Sequence, residues 1–377
     1  MSPFRLPTRV FLARGSRLEL TTELSRTGGT KVLLMTDDGL WTTPWPGELT
    51  EQLESAGFRV SIDASTKPNP RAHDVDRVAE TARAEGIDCV VGLGGGSVLD
   101  AAKAVSMLLT NEGSVADYEG RNRFEHAPAP FFAVPTTCGT GSEVTWVSVI
   151  SVPETQVKIS VKGDGMFPTA AFVDADLIDT LPSHLVATTG MDAVTHAVEA
   201  YVGKASNPTS DVLAVAALSR LLPALEAMAF PEDTAALDHA SIRSALMEGS
   251  TIAGMSFGNA DVGAVHCLSE AIGGVADLPH GLLNASLLVP VLSYMQDMIA
   301  DRLALLGRQL PPTAEPDLLL LDRLERLREG LGIPAKNDLP LARELFETCA
   351  KLAEENGSNG SNLRKMTAAD YRAILVA

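Results

Sequence analysis

The sequence predicts an α/β domain built on a parallel sheet with flanking helices, followed by an all-α domain, with residues 1–180 and 181–377 as their extents. Three observations predict it. Short β-branched runs alternate with helical patterns through the first half, as in successive βαβ units. Beyond Leu181 the strand signal stops and apolar residues recur at three-and-four spacing. At 377 residues, 45% of them hydrophobic, the chain exceeds the roughly 250–300 residues at which a single core usually divides.

The clearest strands are "KVLLMTD" (31–37), "FRVSID" (58–63), "IDCVVGLG" (87–94), "PFFAVPT" (130–136) and "AAFVDA" (170–175). Helical patterns fall between them, at about 47–57, 71–85 and 97–110. The stretch from Trp146 to Val161, with "VSVISV" and "VKISV" on either side of a Pro-containing turn, predicts an added hairpin. In the second half, 210–230, 238–254 and 321–332 carry helical periodicity, and Pro182 with Ser183 suits a helix start near the boundary. The segment "EENGSNGSN" (354–362) is expected to be a flexible surface loop.

A formal charge of −18 argues against a nucleic-acid or anionic-membrane surface, since either needs clustered Lys and Arg. Cys89, Cys138, Cys267 and Cys349 lie far apart without a CxxC pair. Neither a disulfide framework nor a thiolate zinc site is expected, and a reducing cytoplasm fits. The first fifteen residues lack an apolar stretch of signal-peptide length, and no uninterrupted run of 18 apolar residues occurs, so no membrane role is expected.

Chemistry enters with "VVGLGGGSVLDAAKA" (90–104), a strand running through glycines into an Ala-rich helix. Glycines permit close backbone approach, and the helix start presents unpaired N–H groups, an arrangement suited to a pyrophosphate. The alternative is a plain strand-to-helix turn, with Ser97 as N-cap and Asp100 completing a capping box. A second loop, "PTTCGTGSEVT" (135–145), offers the hydroxyls of Thr136, Thr137, Thr140 and Ser142 to the other side of the same dinucleotide. Asp37, ending the 31–37 strand, is placed to accept from an adenosine ribose and to repel a 2′-phosphate, which predicts NAD over NADP; Asp38 beside it is an alternative.

In "GMDAVTHAVEAYVG" (190–203), Asp192 and His196 stand four residues apart on one helix face. Further on, "GAVHCLSEAIGGVADLPHGLLNASLLVP" (263–290) adds His266 and His280. One unbroken helix would hold those two about 21 Å apart. The chain must therefore break between them, and Gly273, Gly274 and Pro279 offer the means. Three imidazoles and a carboxylate suit Fe(II) or Zn(II), with a coordination position left for a substrate oxygen.

Together these stretches resemble the iron-containing (group III) alcohol dehydrogenase family, in order and separation, over nearly the whole chain. The resemblance implies a dehydroquinate-synthase-like architecture, with an N-terminal dinucleotide-binding domain, a C-terminal helical metal-binding domain, and the active site in a cleft between them. It implies Asp192, His196, His266 and His280 as metal ligands. Cofactor contacts would fall on Asp37, Asn69, Gly95, Gly96, Ser97, Asp100, Thr136, Thr137, Thr140, Ser142 and Lys158. Lys158 also has its own rationale, a cation for a ribose or phosphate.

Many family members carry a further histidine four residues after the third ligand, where this chain has Glu270. Glu270 is open to three roles: a proton relay if burial lifts its pKa, a repeller of anionic substrates, or a structural hydrogen-bond partner. The implied reaction is metal-assisted hydride transfer between NAD(H) and a small alcohol with its aldehyde or ketone. Alternatives are an NAD- and metal-dependent lyase of the dehydroquinate-synthase-like class and a non-redox metallohydrolase. The resemblance also implies a homodimer or higher homo-oligomer, and the strand-like edge "RVFLARG" (9–15) is a segment that could pair with a copy of itself.

Overall fold

The computed structural model describes residues 3–153, 157–232, 237–313 and 318–377. Its strands are β1 (Arg9–Leu12), β2 (Lys31–Asp37), β3 (Arg59–Thr66), β4 (Cys89–Gly94), β5 (Gly120–Arg121), β6 (Phe131–Pro135), β7 (Val147–Val152), β8 (Val157–Lys162) and β9 (Ala170–Val173). Helices of the first half are α1 (Leu20–Ser25), α2 (Asp38–Trp41), α3 (Trp45–Ser55), α4 (Ala72–Glu85) and α5 (Gly96–Leu108). The second half carries α6 (Ser183–Val202), α7 (Pro208–Ala229), α8 (His239–Phe257), α9 (Ala264–Ala276) and α10 (His280–Tyr294). It ends with α11 (Gln296–Gln309), α12 (Leu320–Gly330), α13 (Phe346–Glu355) and α14 (Ala368–Val376). Two compact units result. The first comprises Leu6–Thr137 and Gly141–Thr180; the second comprises Leu181–Ala377 with Cys138–Thr140 and the N-terminal residues through Arg5.

In the first unit, six strands form a wholly parallel sheet in the order β1-β9-β6-β4-β2-β3. Its central strands are buried on both faces, so they are apolar without alternation. The pleat sends neighbouring residues into different cores. Leu33, Met35, Val90 and Ala133 pack with the inner faces of α4 and α5. Val32, Leu34, Val91, Phe132 and Phe172 pack with Leu20 and Leu24 of α1 and Leu49 and Leu53 of α3. Each fully buried large apolar side chain contributes about 1.5–3 kcal/mol to keeping these layers closed.

Strand order reverses between β2 and β4, because β3 lies on one side of β2 and the chain then continues on the other. The carboxyl ends flanking such a reversal form a ligand crevice in open α/β sheets. Asp37 ends β2 and Gly94 ends β4. Gly94 is required here for space, since a Cβ would sit 2.5 Å from the Val98 side chain. β7 and β8 pair antiparallel as the expected hairpin, whose turn at 154–156 lies outside the described residues. β5 adds a short parallel strand beside β8 that no sequence pattern announced.

Among its described residues the second unit contains helices and 3-10 turns and no strand. α6 begins at Ser183 after Pro182, as the sequence predicts. α7 is long and apolar enough to cross a membrane, and its Leu218, Leu221 and Leu225 are fully buried where it packs on α6 and α8. The expectation of a flexible loop at 354–362 is corrected. Residues Gly357–Ser361 form a 3-10 turn, and fully buried Asn359 donates to the carbonyls of Glu354 and Met366 and accepts from Tyr371. A polar, glycine-containing composition looks like a linker, but these amides point inward and satisfy buried backbone groups.

Candidate metal centre

Asp192 and His196 lie one turn apart on α6, 1% and 4% exposed. His266 sits in the first turn of α9, and His280 is the first residue of α10, with Pro279 at the N-cap. The chain breaks between them as expected, with Pro279 where α10 begins, but α9 ends on a residue other than the two glycines. Gly273 and Gly274 remain inside α9, and Asp277 ends it in the left-handed conformation, φ 52°. The break brings the rings of His266 and His280 to 5.3 Å between centroids, and those of His196 and His266 to 4.4 Å. Phe257 stacks on the other side of His196 at 4.2 Å.

One ligand atom from each of Asp192, His196, His266 and His280 falls within 4.8 Å of all the others. The carboxylate oxygen Oδ1 of Asp192 lies 3.9 Å from Nε2 of His266 and 3.7 Å from Nε2 of His280. Metal bonds of about 2.1 Å would separate tetrahedral ligand atoms by about 3.4 Å, so a modest contraction suffices.

Hydrogen bonding fixes which ring nitrogens face inward. The Gly139 carbonyl can only accept, so His196 donates to it from Nδ1 at 3.2 Å and presents Nε2 as a lone pair. His266 donates from Nδ1 to Oε2 of Glu199 at 2.5 Å and likewise presents Nε2. The amide nitrogen of Asn284 lies 2.6 Å from Asp192 Oδ1 and 3.0 Å from Nε2 of both His266 and His280. Its two hydrogens face three acceptors, while its own oxygen, Oδ1, is buried without a partner. The cluster thus holds an excess of lone pairs that a cation would satisfy. On this donor set the residues fit a borderline divalent ion.

The electrostatics agree. Burial pushes Asp192 up, but His196, His280 and His266 with the Asn284 amide outweigh it and hold the carboxyl below its usual range. Burial drives His196 down to about 4 against the pull of Asp192. His266 is raised despite its burial, because Glu199 and Asp192 face it. A deprotonated carboxylate and a neutral imidazole at His196 are the forms that coordinate metals.

The cofactor candidates occupy the carboxyl ends of adjacent strands. Thr136 N–H donates to the Gly94 carbonyl at 3.0 Å, and a Cβ on Gly95 would meet Thr137 at 3.0 Å, so the two glycine loops adjoin. α5 is capped by Gly95 without a side-chain bond, and Ser97 is already inside the helix, so the capping box is not formed. Asp37 accepts from Leu40 N–H through Oδ1, and Asp38 pairs with Lys67. Lys158 donates to Asn69 at 2.8 Å. Thr140 belongs to the helical unit.

Asp100 and Ser142 are engaged with one another. Ser142 Oγ donates to Asp100 at 2.6 Å, and the other Asp100 oxygen accepts from Val149 N–H at 2.9 Å. Lys103, 1% exposed, donates to the carbonyls of Ser142 and Val147 and to Ser142 Oγ. Sequence reasoning passed over Lys103, Glu199 and Asn284. The available signals were a lysine inside an apolar Ala-rich helix, a carboxylate seven residues after Asp192, and an amide four residues after His280. The Gly139 carbonyl that orients His196 carried no such signal, because every residue type brings the same backbone acceptor.

Two family descriptions match in tandem. "Iron-containing alcohol dehydrogenase" covers residues 7–175, and "Fe-containing alcohol dehydrogenase family, C-terminal" covers residues 186–377. The chain belongs to the iron-containing alcohol dehydrogenase family. It is 34% identical to the NAD-dependent methanol dehydrogenase of Bacillus methanolicus, over 100% of this chain and 99% of that one. It is also 34% identical to the 1,3-propanediol dehydrogenase of Klebsiella pneumoniae, over 92% and 91% of the two chains. Among solved structures it matches a 1,3-propanediol oxidoreductase with a TM-score of 0.92 at 31% identity, covering 100% of this chain and 99% of that one. In this iron-containing alcohol dehydrogenase Glu270, the position at which the sequence departs from the pattern expected of the family, accepts through Oε2 from Asn356 Nδ2 at 2.6 Å.

Proposed function

We propose that this iron-containing alcohol dehydrogenase holds one Fe2+ or Zn2+ on Asp192, His196, His266 and His280, and transfers a hydride between NAD(H) and a small alcohol with its aldehyde or ketone. The supporting observation is the convergence of four ligand atoms within 4.8 Å, three of the four residues being buried. In the oxidation direction an alcohol gives a hydride to NAD+ and a proton to solvent, and reduction reverses both transfers. Bound there, the cation would supply Lewis-acid polarisation of the substrate oxygen, and NAD the redox couple. The chain's own work is to keep Asp192 ionised, to aim Nε2 of His196 and His266 inward through their Nδ1 bonds, and to hold those rings by stacking.

Residues 1–180 are the dinucleotide-binding domain in this proposal, and 181–377 the metal and substrate domain. The uncapped start of α5 supports a pyrophosphate site at Gly95, Gly96 and Ser97, beside Thr136 and Thr137. Asp37 supports NAD over NADP. Asn69, Thr140 and Lys158 complete the contacts, and Asp100 and Ser142 serve by shaping the loops. The bond from Asn356 favours the structural role for Glu270 over proton relay. A cytoplasmic homodimer or larger homo-oligomer, without nucleic-acid or membrane partners, is supported by four buried thiols, the charge of −18, and β1 at the sheet edge.

The test is metal removal with a chelator, followed by assays of small alcohols with NAD+ and titration of NADH fluorescence. Turnover should vanish and return with Fe2+ or Zn2+, while NADH binding persists. Full turnover in metal-free protein would overturn the proposal.

A further inference from the structure

Glu199 stands on α6 seven residues after Asp192 and three after His196, and it is 3% exposed. Both of its oxygens are committed to α9. Oε2 accepts from Nδ1 of His266 at 2.5 Å, and Oε1 accepts from the backbone N–H of Val265 at 2.7 Å. α9 has no side-chain cap of its own at Gly263. Glu199 reaches its first turn because residue 263 is glycine: a Cβ there would stand 2.8 Å from Oε1 of Glu199. One carboxylate therefore holds both the helix that carries His266 and the ring itself.

The two buried imidazoles of the cluster are not supported alike. His196 leans on a neutral carbonyl, that of Gly139, whereas His266 leans on an anion. An anionic partner on Nδ1 increases electron density at Nε2 and restricts rotation of the ring. It also alters the charge balance: Asp192 alone leaves a divalent cation with a surplus positive charge, and Asp192 with Glu199 neutralises it in a buried site.

We propose that Glu199 is a positioning residue for the metal centre, fixing His266 with Nε2 inward and raising the affinity of the site for a divalent cation. This rests on the four-ligand reading of the proposed function. Glu199→Gln should weaken Zn2+ binding by about 10- to 100-fold, the range typical of outer-shell partners.

The experiment titrates metal-free full-length protein with Zn2+ against a chromophoric chelator, for wild type, Glu199→Gln and Glu199→Asp. NADH affinity and the melting temperature of the metal-free protein are measured in parallel. The expected result is weakened Zn2+ binding in Glu199→Gln, NADH affinity within twofold of wild type, and turnover recovered at saturating Zn2+. Zn2+ affinity within twofold of wild type overturns the proposal, whatever happens to the melting temperature. If Glu199→Gln fails to fold, Glu199→Asp decides: it keeps the charge but falls a methylene short of α9, so several-fold weaker Zn2+ binding supports the role and unchanged binding overturns it. A wild-type protein that binds no Zn2+ overturns the four-ligand reading as well, which separates the two failures.

Discussion

The amide nitrogen of Asn284 stands 2.6 Å from Oδ1 of Asp192. A cation and an N–H donor compete for the same carboxylate lone pairs, so the amide is most needed when the metal is absent. Asn284→Ala should destabilise the metal-free protein by about 1–3 kcal/mol, the cost of an unsatisfied buried polar group. Urea unfolding with and without Zn2+ checks this, because the loss should shrink when Zn2+ is present. An equal loss in both conditions would show that the amide acts only as packing.

Lys103 predicts a pH effect on stability. Burial lowers its pKa to about 8, against the opposing pull of Asp100 and Glu143, while an unfolded lysine titrates near about 10.4. The folded protein therefore binds fewer protons than the unfolded chain between those values, and stability from this group rises with pH across that window. Below about pH 8 both states are protonated and the burial cost is fully present. Relative to Lys103→Met, wild type should gain unfolding free energy from about pH 8 to about pH 10. A difference independent of pH would contradict the shift.

Glu270→Gln should leave kcat within about threefold of wild type, since a glutamine oxygen can still accept from Asn356. Steady-state rates from about pH 6 to about pH 9 provide the check. Loss of turnover by orders of magnitude would restore the proton-relay role.

Asp37→Ser should improve the use of NADP relative to NAD, by about tenfold in the ratio of kcat/KM, through removal of a like charge from the predicted 2′-phosphate position. Competing assays with the two cofactors measure it. An unchanged ratio would move the selectivity elsewhere, and Asp38 with its partner Lys67 would be the next pair to substitute.

The four proposed ligands were legible as a candidate set because each carries a local signal: Asp192 and His196 by helical spacing, His266 and His280 by the breakers between them. Breaker chemistry was legible only in kind. Asp277 in a left-handed conformation ends α9, while Gly273 and Gly274 stay helical, since tertiary packing overrides local helix propensity. The misread segment at 354–362 shows the same limit, because composition does not say whether Asn359 faces water or the backbone of Met366.

By itself the sequence determined the periodicities, and with them the parallel sheet, the helical second half, the glycine loops and the list of candidate metal-ligand types. Tertiary structure alone decided that Glu199 meets His266 across 67 positions, that Lys103 closes on the carbonyl of Val147, and that Glu270 is held by Asn356. The reason is physical: periodicity records which face of an element is apolar, whereas the partner of a buried polar group is set by distant chain segments folded against it.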